Sequence, residues 1–86
     1  MNAERRLTMS RSVVSRLTYL AHDDFELMTV NRCLESLKAD VTVGLPIVFS
    51  GYAGEHRAVR FGRFVFVYQY SSVEIRIKDV ELMQEA

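Results

Sequence analysis

Three of the four glycines (Gly44, Gly51 and Gly54) and the only proline, Pro46, fall between residues 44 and 54, and the hydrophobic period changes across them. Before the cluster, apolar residues recur at steps of three and four. After it they alternate or run together. The first pattern places one stripe on a helix, and the second lines one or both faces of a strand. An 86-residue chain holds one domain, so both halves must share a single core. That restricts the chain to an α+β architecture.

On the helical side, Ser10 or Ser12 offers a hydroxyl to cap a first turn. Val13, Leu17 and Leu20 follow at helical spacing. Ala21-His22-Asp23-Asp24 reads as a break, and Asp23 with Glu26 three residues on has the pattern of a capping box. Leu27, Val30, Leu34 and Leu37 then form one stripe. Two helices over 12–21 and 24–39 are predicted, joined as a hairpin; one bent helix is the alternative. On the strand side, 56–61, 64–70 and 73–78 read as an antiparallel meander, with turns at Gly62-Arg63 and Ser71-Ser72. Residues 5–9 alternate and would form an edge strand ahead of the helices. The expected core is Leu17, Leu20, Val30, Leu34, Leu37, Val65, Val67, Ile75 and Ile77.

Eleven basic and eleven acidic residues leave no net charge. General polyanion binding calls for a basic excess, so the composition argues against it. The distribution is uneven: residues 1–20 carry four Arg and one Glu, while residues 21–55 carry two basic and six acidic groups. Nine of the cations are Arg, whose planar fork suits carboxylates and phosphates. A lone cysteine, Cys33, excludes an internal disulfide framework and a cysteine zinc site. No apolar run is long enough to span a membrane, and the first ten residues lack the apolar stretch of a signal peptide. A cytoplasmic protein without cofactor or metal is expected.

The segment Arg57-Ala-Val-Arg60-Phe-Gly62-Arg63-Phe64-Val-Phe-Val-Tyr68, with Gly44-Leu-Pro46 upstream, resembles the RelE/ParE superfamily of toxin–antitoxin toxins. The resemblance runs from about Arg6 to Asp79. It implies a fold with an edge strand, a helical hairpin and a three-stranded C-terminal meander. It also implies a small cytoplasmic toxin, encoded on a plasmid or phage, that a cognate antitoxin neutralises. Its target would be mRNA on the ribosome or a protein such as DNA gyrase. Two departures bear on chemistry. Val65 stands where the ribosome-dependent endoribonucleases of the family commonly carry a basic residue. The segment Asp79-Val-Glu-Leu-Met-Gln-Glu-Ala86, read as an acidic tail, has none of the Tyr, His or Lys those enzymes place there.

If RNA cleavage survives, His56 is the general base in reach of the strand cations and Arg60 supplies charge to the phosphate, because imidazole titrates near neutrality. An ordinary wet sheet face with Arg–Glu pairs is the simpler reading of the same residues. Binding of a macromolecule rather than catalysis is therefore expected, through Arg57, Arg60, Arg63 and Arg76. A second reading is a non-catalytic phage- or plasmid-encoded inhibitor of a host protein that reuses the toxin fold. His22-Asp23-Asp24 reads as a capped loop rather than a metal site, and Cys33 as a small hydrophobe beside the stripe. Phe64, Phe66, Tyr68 and Tyr70 read as core rather than as a base-stacking platform. An exposed first strand or the hairpin's outer stripe would support a homodimer.

Overall fold

Ser10 starts the first helix as the sequence suggests: its backbone is extended and its hydroxyl accepts from the Val13 N–H at 3.3 Å. In the computed structural model, which describes residues 5–48, 51 and 54–83, α1 spans Arg11–Leu20 and α2 spans Asp24–Glu35. Asp23 caps α2 by accepting from the Glu26 N–H at 2.8 Å. Glu26 reaches back to accept from the His22 N–H at 2.7 Å. This is a capping box shifted one residue outward, with two orphan donors satisfied. A 3₁₀ turn over Ser36–Lys38 finishes the second helix.

The strands are β1 (Arg6–Met9), β2 (Leu45–Ile47), β3 (His56–Phe61), β4 (Phe64–Tyr70) and β5 (Glu74–Leu82). They form one mixed sheet in the order β1-β5-β4-β3-β2. The antiparallel meander is present and no helix interrupts it. Three features go beyond the sequence reading. The N-terminal strand pairs parallel to β5, with Leu7 opposite Ile75. A further edge strand, β2, pairs with β3, and its Pro46 lies opposite Arg57. An edge tolerates proline because the missing N–H can face away from the ladder. The last strand continues to Leu82, so Asp79–Leu82 is sheet rather than tail. One extra residue in β5 at Lys78 bulges the ladder, since Tyr68 opposes Ile77 while Val67 opposes Asp79.

Both helices lie on one face of the sheet. Leu17, Val30, Leu34 and Leu37 meet Phe66, Tyr68, Ile75, Ile77 and Val80 in the core. Leu20 packs at its margin, half-buried. Val65 and Val67, expected there, are on the opposite face, where Val67 is buried and Val65 half-buried. Phe64, Phe66 and Tyr68 turn to the helices instead and are at most 1 % exposed. The physical reason is size: each aromatic ring removes more area from water than valine, and the wide helix–sheet space accommodates it. Burial on that scale leaves Phe64, Phe66 and Tyr68 no surface on which a base could stack.

Tyr68 also ties down the chain leading into β2. Its hydroxyl donates to the Val41 carbonyl at 2.6 Å and accepts from the Gly44 N–H at 3.1 Å. Gly44 fits this close approach because a Cβ there would stand 2.8 Å from both the Tyr68 hydroxyl and the Ala58 carbonyl. No helix among the described residues is long and apolar enough to cross a membrane.

Candidate functional site

Alternation along the strands sorts the candidate residues between the two faces of the sheet. Val59 belongs to the helix-side core and Phe61 packs against it. Arg57 therefore starts on that side, and His56, Ala58 and Arg60 on the open side. Arg57 is 17 % exposed and is drawn inward. Its guanidinium donates to the Gly44 carbonyl at 2.6 Å and the Thr42 carbonyl at 3.2 Å, and sits 3.4 Å from the Glu55 carboxylate. This arginine holds the β2 lead-in together.

His56 is 0 % exposed. Its Nδ1 lies 3.1 Å from the Gly54 carbonyl. Gly54 in turn backs onto the Gln69 amide so closely that a Cβ would stand 2.5 Å from it. A proton-transfer group must touch its substrate, and His56 in this arrangement presents no surface to one.

Arg63, in the β3–β4 turn, makes a two-pronged contact with Glu26. Nε donates to Oε2 at 2.8 Å and Nη2 to Oε1 at 2.7 Å. The same Nη2 donates to the Leu20 carbonyl at the end of α1, at 2.6 Å. The guanidinium also stacks over Phe64, 4.7 Å from the ring centroid. One side chain thus joins both helices to the hairpin. The Arg63 hydrogen bonds, helped by the His22 N–H, hold the Glu26 carboxyl at about 2, well below its usual 4.5. Glu26 in turn pushes the Arg63 guanidinium higher. Sequence reading offered Arg63 as a binding residue, and the structure uses it as a clamp. The available signal was Glu26 in the capping-box position, but nothing in the sequence pairs it with a turn 37 residues on.

Arg60 and Arg76 remain on the open face, both exposed. Arg60 bends to the Gly62 carbonyl at 2.8 Å, and Arg76 pairs with Glu74 at 2.5 Å. Arg6 is exposed on the same face, opposite Glu74. The four candidate arginines are therefore not one patch: two are internal braces and two are surface groups.

An apolar concavity lies elsewhere, between the flank of α2 and the tip of the β3–β4 hairpin. It encloses about 330 Å³ and is walled by Phe25, Thr29 and Cys33 on the helix and by Phe61, Gly62 and Phe64 on the sheet, with the Arg63–Glu26 pair at one end. Phe25 is 78 % exposed. Sequence reading placed Cys33 beside the apolar stripe, and it is half-buried in this wall. No group of three or more His, Cys, Asp or Glu among the described residues is arranged to hold a metal. Compared with known proteins, the chain matches no family model and no curated sequence.

Proposed function

We propose that this protein acts by binding a macromolecular target through the open face of its sheet, as a RelE/ParE-type toxin that a cognate antitoxin neutralises. The observation that carries the reading is the pair of exposed guanidiniums, Arg60 and Arg76, on the face the helices leave uncovered. Arginine is over-represented where interfaces bind tightly, and its fork suits carboxylates on an acidic protein partner. The element order of strand, helical hairpin and antiparallel strands supports the resemblance. Burial of His56 favours capture of a target over cleavage of RNA, and so does Val65 on the open face.

The test is induced expression in bacteria with growth as readout. The wild-type chain is expected to arrest growth, and Arg60→Glu with Arg76→Glu to relieve the arrest while circular dichroism stays unchanged. Cleavage of mRNA on translating ribosomes by the purified protein, stopped by His56→Gln in a folded variant, would overturn the binding reading in favour of a ribonuclease.

A further inference from the structure

Strands β1 and β2 are the two edges of the sheet, and their backbones differ in what they leave open. In β1 the Arg6 N–H donates to the Val73 carbonyl at 3.0 Å, and the parallel register runs from Arg6–Glu74 to Met9–Ile77. Alternate residues of a parallel strand bond its neighbour. Arg6 and Thr8 therefore face β5, while Leu7 and Met9 turn their N–H and C=O groups outward. Among the described residues no backbone group pairs with Leu7 or Met9 on that side. Their side chains pack against the core from the helix side, yet both are only half-buried.

The opposite edge is closed to pairing. Phe61 and Phe64 flank a two-residue turn and exchange hydrogen bonds, and counting back in twos makes Arg57 bond β4 as well. Pro46 lies opposite Arg57, so it faces outward, and it has no N–H to give. Arg60 is the outward-facing residue of β3 that β2 does not reach, and a single residue makes no ladder. Strand β1 has neither a proline nor a bulge to guard it.

We propose that β1 is a homodimer interface, in which two copies join edge to edge, antiparallel about a two-fold axis at Thr8. Leu7 then lies opposite the second copy's Met9, and each such pair exchanges both N–H···O bonds. The apolar side chains of these pairs share the helix side and cover one another. The strand itself points to a second copy, because its outward groups at Leu7 and Met9 are their own complement under a two-fold rotation. Charge agrees. Arg6 is the charged residue of β1. Antiparallel pairing at Thr8 sets the two Arg6 residues about 14 Å apart along the ladder, beyond the Debye length at physiological salt, whereas parallel pairing would set them side by side. With Pro46 on the other edge, the association closes as a dimer and does not grow into a fibre. The ladder is short, so the dimer is expected to dissociate at about 10 μM to 1 mM.

Two measurements on the full chain test this. Sedimentation equilibrium from about 1 μM to 1 mM should show the mass rising from monomer toward dimer. Cross-linking then reads the register. Thr8 faces itself in a non-hydrogen-bonded pair, with Cα atoms about 4.5 Å apart, within reach of a disulfide. In a Cys33→Ala background, Thr8→Cys should form an interchain disulfide under mild oxidation about tenfold or more faster than Arg6→Cys, whose Cα atoms are too far apart. Circular dichroism checks that each variant is folded. A monomer mass at about 1 mM overturns the dimer. A dimer in which Arg6→Cys cross-links as fast as Thr8→Cys overturns the pairing through β1.

Discussion

Tyr68 shows how much a single buried hydroxyl organises. It bonds a carbonyl and an N–H on the segment that leads into β2, three residues apart in sequence. Burial pushes its ionisation upward, against the pull of the Gly44 N–H. Tyr68→Phe removes one partner from each of two groups in a tight space, and a lost partner of this kind costs about 1–3 kcal/mol. Gly44→Ala attacks the same point by steric overlap, at a cost of about 1–3 kcal/mol. Urea midpoints of both variants check these values, and the double variant should fall short of additivity because the two groups touch. At the helix stripe, Leu34→Ala should cost about 2–5 kcal/mol, because Leu34 is fully enclosed. A loss below about 0.5 kcal/mol would mean that the stripe faces solvent.

The elements are held in register by turns and clamps that differ in how plainly the sequence shows them. Gly62 is plain: a two-residue hairpin needs a left-handed residue, and its φ is 62°. Gly62→Ala should cost about 1–2 kcal/mol on thermal unfolding. The Glu26–Arg63 clamp is not plain, because tertiary pairing leaves no periodic trace. It has a pH signature. Glu26 in the folded chain ionises at about 2, below its ordinary 4.5. The unfolded chain therefore takes up more protons in that window, and stability falls with falling pH. The contribution is present above about 4.5 and is lost as pH drops toward about 2. Glu26→Gln should flatten that part of the slope in urea midpoints measured from pH 5 to pH 2. A slope equal to wild type would show that Arg63 leaves the carboxylate unperturbed. The helix boundaries and the meander were legible because caps, turns and apolar period agree there. The phase of β4 was not, since Phe64 to Tyr68 is apolar on both faces and periodicity cannot choose between them. Nor was β2, where three residues around a proline carry no strand signal of their own.

In the whole molecule, charge and apolar surface are divided between faces. Helix α2 and its approach are acidic and border the apolar groove, whereas the open sheet face carries Arg6, Arg60 and Arg76 among Glu74, Asp79 and Glu81. Arg60→Glu with Arg76→Glu should lower capture of an acidic target by about tenfold or more, with a reduced dependence on salt. Surface plasmon resonance at two ionic strengths reads both effects, and an unchanged salt dependence would remove the arginines from the interface.

Strand β5 pairs on one side with β4 and on the other with β1, and the Thr8 hydroxyl meets a carbonyl 67 residues further along the chain. During synthesis β1 and the helical hairpin emerge first, with their apolar stripe facing a partner that does not yet exist. At roughly 5–20 residues per second, that strand follows β1 by several seconds. Over that interval the nascent stripe of Val30, Leu34 and Leu37 is open to chaperones. Closure comes in one late step, when β5 enters between its two neighbours. Ribosome-stalled chains ending before residue 74 should remain protease-sensitive throughout, and chains whose β5 has cleared the exit tunnel should become resistant together.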